Sequence, residues 1–249
     1  MSHANEDFLL GPNAIEAQLD ADPSRVLEAW VEEGKRSPRV EALQNRLRGH
    51  GIAVQRLARA ALDKRAASDR HQGIVARFRL PETLDEHDLL RLIDGARAPL
   101  LLVLDGVQDP HNLGACIRTA AAAGALAVIV PKDRAVGLTA AVLRASAGLA
   151  ARLPLVRVTN LARTLEALKK AGIWIGGAAG EEGSDFYAAD LTGPTAIVLG
   201  NEGDGLRELT RKTCDYLWSI PMAPGVESLN VSVAAAVMLF EAVRQRGLR

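Results

Sequence analysis

The chain has 249 residues, 48% hydrophobic and 24% charged, which is ordinary globular usage and enough to bury a sizeable core in one or two domains. No apolar run approaches ~18 residues without a charge, and residues 1–10 lack a basic start followed by an apolar stretch, so no membrane span or secretory signal is expected and a cytoplasmic location is. Two cysteines without a CxxC and five histidines without an HxxxH pair point to reduced core thiols, with no disulfide framework and no metal.

The 30 basic residues equal the 30 acidic ones, yet the two signs are sorted along the chain. Residues 1–34 hold one basic residue, Arg25, and eight acids; residues 35–79 hold twelve basic residues and three acids; residues 80–249 hold 17 and 19. Lys35, Arg36, Arg39, Arg46, Arg48, Arg56, Arg59, Lys64, Arg65 and Arg70 read as an electrostatic footprint for phosphates, with a solvated basic face as the plain alternative. This stretch falls in an alternation of a helix at 12–20, strand at 26–31, helix at 38–48, strand at 52–56, helix at 58–65 and strand at 73–79. That pattern predicts a small α/β domain over 1–80, punctuated by Gly11-Pro12, Asp22-Pro23 and the glycines at 49 and 51. Residues 81–98 are acidic, begin with Pro81 and hold one short helical pattern; they are expected to be a linker.

From 99 to 249 the strand candidates are 100–104, 126–130, 153–158, 173–179, 195–199 and 217–220, with helical patterns between most of them. The expectation is an α/β domain built on a largely parallel sheet. Three segments at strand ends carry chemistry-bearing residues. In the first, Asp109 to Gly124 (DPHNLGACIRTAAAAG), Asp109-Pro110 makes a turn, Asn112 reads as the helix N-cap, and Gly114 with the alanines permits close helix packing. Arg118 is the anomaly there, a guanidinium on a small, apolar helix that needs an anionic or hydroxyl partner.

In the second segment, TAIVLGNEGDGL at 195–206, a buried-type strand runs into a loop with glycines at 200, 203 and 205 and the acids Glu202 and Asp204. The order GxxGxG is not the GxGxxG of a dinucleotide loop, and no GK[ST] follows to cradle phosphates. What remains is a tight turn projecting Glu202 from a strand end, where open parallel sheets bind ligands. The third segment, IPMAPGVESLNVSVAAA at 220–236, leaves a strand at Pro221, turns at Gly225 and enters a helix over 230–246 that either Ser228 or Asn230 can cap. Val231, Ala234, Ala235, Met238 and Ala242 recur on that helix at core spacing.

Together these segments resemble the SpoU branch of the SPOUT RNA 2′-O-ribose methyltransferases. The first motif is matched by Asn112, Gly114, Arg118 and Thr119, the second by Leu199, Gly200, Glu202, Gly205 and Leu206, the third by Ile220, Pro221, Met222 and Ser228 to Ala234. GPNAIEAQL near the start, HQGIVAR at 71–77, VIVPKDR and LFEAVRQR extend the likeness to members that methylate a guanosine ribose 2′-hydroxyl in bacterial 23S rRNA. The resemblance implies a trefoil-knotted catalytic domain over 99–249, whose loops after 199 and 220 surround a bent S-adenosyl-L-methionine, behind an L30-like RNA-binding domain over 1–80. It implies a homodimer, with part of the C-terminal helix in the contact, and free 23S rRNA or an assembling large ribosomal subunit as partner. Asn112, Arg118, Glu202, Ser228 and Asn230 are the catalytic expectations; Ala179, Gly200, Ile220 and Leu229 are expected to line the cofactor pocket. Arg118 is expected to hold the neighbouring phosphate and the developing oxyanion. The general base stays open between Arg118, a poor base, and His111. A tRNA ribose methyltransferase and a non-catalytic RNA-binding assembly factor are the alternative readings.

Overall fold

In a computed structural model, which describes residues 5–34, 37–180, 183–201, 203 and 205–247, the first element is a strand that the residue pattern did not announce, β1 (Glu6–Leu10). Two acids open it and its apolar run is short, so it lacks the alternation that marks a half-buried strand. It forms because β4 offers an edge: Glu6 through Leu10 pair antiparallel with Arg79 through Val75. The next elements follow the expected alternation, α1 (Pro12–Ala21), β2 (Val26–Glu32), α2 (Pro38–Gly49), β3 (Ala53–Leu57), α3 (Arg59–Ala66) and β4 (Ile74–Arg79). They make a four-stranded sheet of order β1-β4-β2-β3, in which only β2 and β3 run parallel. Ser37 caps α2 by accepting from the Val40 N–H, with Pro38 in the first turn, and the helix buries Val40, Leu43 and Leu47. Leu62 of α3 packs with Trp30 and Val75, each burial contributing on the order of 1.5–3 kcal/mol.

The chain divides into two compact units, residues 1–82 and 83–249. The second begins inside the stretch expected to be a linker. Residues 83–98 are instead an integral part of this unit: Leu84 bridges to Val156, and α4 (Glu86–Ile93) starts from a reciprocal capping box between Asp85 and Asp88. Leu89 and Ile93 of α4 are core residues, packed with Val103, Ile129 and Val156. The apolar spacing at 89 and 93 was the visible signal; the acidic surface of the segment masked it.

The remaining elements are β5 (Leu100–Asp105), α5 (Pro110–Ala122), β6 (Ala127–Pro131), α6 (Ala140–Ala145), β7 (Leu155–Val158), α7 (Leu161–Lys170), β8 (Trp174–Ala178), β9 (Ser184–Asp185), β10 (Thr195–Gly200), α8 (Glu208–Thr213), β11 (Tyr216–Ser219) and α9 (Val231–Gln245). Their strands form one parallel sheet of order β7-β6-β5-β10-β8-β11-β9, the mixed α/β architecture with a parallel sheet that the residue pattern implies. β10 inserts between β5 and β8, so the motif-bearing ends of β5 and β10 lie side by side, Asp105 opposite Gly200. On one layer Leu161, Leu165 and Leu168 of α7 cover the central strands; α9 packs against both α5 and β10.

Candidate active site

The first turn of α5 differs from the expectation in a way that serves the site. Asp109, not Asn112, is the N-cap: its carboxylate accepts from the His111 N–H at 3.0 Å, and Pro110 occupies the first helical position. Asn112 therefore sits inside the first turn and is not the N-cap. It is used elsewhere, since Asn230 Nδ2 donates to Asn112 Oδ1 at 3.1 Å across 118 residues of sequence. Asn230 is also the N-cap of α9, its Oδ1 accepting from the Ser232 N–H at 3.0 Å and from the Ser232 hydroxyl at 2.6 Å. The capping choice between Ser228 and Asn230 is thus settled for Asn230, and that one side chain ties the start of α9 to the start of α5.

Beside this junction a cavity of about 390 Å³ opens at the C-terminal ends of β8, β10 and β11. Ala179, Gly200, Ile220 and Leu229 all line it, as does Ser228, so five residues drawn from three separated segments meet around one space. This is the edge of an open parallel sheet at which ligands bind, and the volume falls in the range of small-molecule sites, roughly 300–1,000 Å³. Gly200 has a specific task there. A Cβ built on it would overlap the backbone of Gly205 and Leu206, so only glycine lets the returning loop close against the strand end. The loop is pinned by mutual backbone hydrogen bonds of 3.2 Å between Asn201 and Gly205. Gly114 is equally constrained, facing Ala145 and the Val142 carbonyl of α6 at a separation that admits no side chain.

A second cavity, about 370 Å³, adjoins the first and is lined by Gln108, Asp109, Asn112 and Asn201 among others; Asn201, Gly203 and Val231 border both. Gln108 and Asn201 were not singled out in the sequence, although both lie within or beside the motif segments. Arg118 lines neither cavity; it is exposed on α5. His111 is exposed as well. Glu202 lies outside the described residues. Neither cysteine offers a nucleophile: Cys116 is buried, and burial, aided by Asp215, pushes the Cys214 thiol up to about 11. Among the described residues no group of three or more His, Cys, Asp or Glu could hold a metal ion, and no helix is long and apolar enough to cross a membrane.

In the first unit the charge sorting seen along the sequence is undone by folding. Arg39 pairs with Glu16 at 2.6 Å, Arg46 with Asp20 at 2.6 Å and Arg59 with Glu32 at 3.8 Å. Arg77 bridges Glu6 at 2.8 Å and Glu28 at 2.6 Å. The hydrogen bond from Arg39 holds the Glu16 carboxyl below its usual range. Three of the ten residues of the expected footprint thus have carboxylate partners. Arg48, Arg56, Lys64 and Arg70 are exposed and without a carboxylate partner among the described residues, and Arg65 lies 4.1 Å over the Trp30 ring. Lys35 and Arg36 lie outside the described residues.

Comparison with known proteins agrees with the geometry. Residues 99–240 match the SpoU rRNA Methylase family, and residues 8–84 match a family described as RNA 2′-O ribose methyltransferase substrate binding. The 23S rRNA (guanosine-2′-O-)-methyltransferase RlmB of Photobacterium profundum is 53% identical over 97% of this chain and 99% of its own length. The SpoU methyltransferase AviRb from Streptomyces viridochromogenes, solved in complex with AdoMet, superposes over 98% of this chain and 92% of its own, with 30% identity and a TM-score of 0.76. A TrmH/SpoU tRNA modifying enzyme from A. aeolicus, also 30% identical, covers 65% of this chain and 84% of its own with a TM-score of 0.55. With its motif residues gathered at one sheet edge and its sequence matched over most of its length, the chain belongs to the SpoU rRNA methylase family.

Proposed function

We propose that this protein methylates the ribose 2′-hydroxyl of a guanosine in bacterial 23S rRNA, with S-adenosyl-L-methionine as donor. The observation that carries the reading is the Asn112–Asn230 hydrogen bond at the border of two adjoining cavities: it joins the segment that would receive the ribose to the segment that would surround the donor. The match to the Photobacterium profundum enzyme over nearly the full chain supports this substrate, whereas the tRNA modifying enzyme matches only 65% of the chain. S-adenosyl-L-methionine, when bound, supplies a methyl group on a positive sulfonium that is neutralised as the methyl passes in line to oxygen. The contribution of the protein is therefore positioning more than charge stabilisation, and holding both reactants in near-attack geometry is worth about 7–11 kcal/mol.

In this reading Ala179, Gly200, Ile220 and Leu229 hold the donor, and Ser228 and Asn230 fix the backbone between donor and acceptor. Asn112 and Glu202 orient the acceptor side. Arg118, always charged and outside the donor cavity, binds the phosphate beside the target ribose and the oxyanion forming on it. The exposed Val233 and Phe240 of α9 support a homodimer through this helix, the strand order with β10 between β5 and β8 supports a trefoil-knotted path, and residues 1–80 act as an L30-like domain that delivers RNA. The working compartment is the cytoplasm, on free rRNA or on an assembling large subunit. Mapping ribose methylations in 23S rRNA from a deletion strain tests the function. One guanosine should lose its 2′-O-methyl group. An unchanged 23S map with a missing tRNA methyl group would overturn the reading in favour of a tRNA substrate, and unchanged maps of both RNAs would leave a binding factor.

A further inference from the structure

β5 ends in a carboxylate that the motif reading did not use. Asp105 has a side chain with 0% exposure, although it stands at the strand end beside the donor cavity. A carboxylate taken from water at that depth is costly unless its oxygens are matched by donors. Among the described residues, all of its donors come from one residue. The Arg207 N–H donates to Oδ2 at 3.1 Å, Arg207 Nε donates to Oδ1 at 2.5 Å, and Nη2 lies 2.5 Å from the same oxygen.

The position of this pair in the chain gives it a consequence. Asp105 is in register with Gly200, where β10 ends and the loop over 201–206 begins. Arg207 is the residue at which that loop ends and α8 begins. One buried side chain on a neighbouring strand thus grips the exit of the loop directly opposite its entry. Between the two ends, Asn201, Gly203 and Gly205 line the donor cavity, while Asp105 and Arg207 do not. Gly200 allows the loop to approach the strand; nothing in Gly200 itself holds it there.

We propose that the Asp105–Arg207 pair is a positioning latch that sets the loop against the strand end and thereby the affinity for the methyl donor. Neither residue lines the donor cavity. The proposal rests on the cavity being the S-adenosylmethionine site, and calorimetry with S-adenosylmethionine on the intact protein separates the two claims. If the unaltered protein does not bind the donor, the reading of the cavity fails; if it binds and the variants bind equally, the latch fails.

For Arg207→Ala the dissociation constant for S-adenosylmethionine should rise about tenfold or more, because a buried carboxylate is left without its side-chain donors and the loop exit is released. Arg207→Lys, which returns a charge without the fork, should fall between the two and keeps the test open if the alanine variant does not fold. RNA affinity should stay within about twofold in both, as no loss of tenfold free energy acts on the RNA side. The reference variant is Lys169→Ala, which removes the 3.0 Å pair with Asp215 in the same unit and should leave donor affinity unchanged. Equal weakening of donor binding in Lys169→Ala and Arg207→Ala, or a parallel loss of RNA and donor affinity in Arg207→Ala, would show general loosening of the unit and overturn the latch.

Discussion

The two units treat their polar residues in opposite ways. In the second, polar residues that are far apart in sequence are brought to one edge of the sheet and left facing a cavity; in the first, several charges that are far apart in sequence are brought together in ion pairs. The difference follows from topology. A parallel sheet with crossover helices points every strand end the same way, so the residues after β5, β8, β10 and β11 share a neighbourhood whatever the intervening sequence. In the four-stranded sheet β1 lies against β4, which sets Glu6 of the acidic segment beside Arg77 of the basic one. A motif survives folding because its residues are placed by strand ends, whereas a charge run is only a tally until its partners are known.

The sharpest way to break this comparison is within the second unit, by separating donor side from acceptor side. Arg118→Ala should lower turnover by at least about a hundredfold while leaving S-adenosylmethionine binding nearly intact, since Arg118 lines neither cavity. Gly200→Val should abolish donor binding, because the new side chain would drive the Gly205–Leu206 backbone off the strand end even before it reached the donor. Calorimetry on both variants decides this, and equal loss of donor affinity in the two would show that the sides are not separable.

A smaller effect tests where one unit ends and the other begins. A chain starting at residue 83 should fold, bind the donor and, by light scattering, form the dimer proposed through α9. One starting at residue 98 should be less stable by several kcal/mol, because it lacks the fully buried Leu89 together with Ile93. Equal melting temperatures for the two would return residues 81–98 to the role of a linker.

The smallest effect probes the neutralised surface. Single alanine substitutions of Arg56 or Lys64 should weaken RNA binding a few-fold and reduce the slope of affinity against salt by about one, whereas Arg39→Ala should change neither by much, its charge being already matched by Glu16. Salt titrations of RNA binding make the distinction. Identical slopes for all three variants would mean that ion pairing in this unit does not select which cations meet phosphate.

The alternation of strands and helices and the parallel sheet were readable from residue order, because they depend on local propensity and on the repetition of apolar stretches within each element. Gly200 and the residues from Ser228 to Asn230 mark strand-end turns in the residue order itself. Tertiary structure decided the rest. Asn112 is not the N-cap because Asp109 and Pro110 start the helix three residues earlier, and from inside the first turn it meets Asn230 from 118 positions away. Residues 6–10 become a strand because β4 supplies an antiparallel edge, and Leu89 and Ile93 join the second unit because its sheet supplies a surface to cover. Arg39, Arg46 and Arg59 gain carboxylate partners because acids from the first 34 residues fold against them. Each outcome depends on a partner distant in sequence, and no local pattern contains the free energy of a contact that folding alone creates.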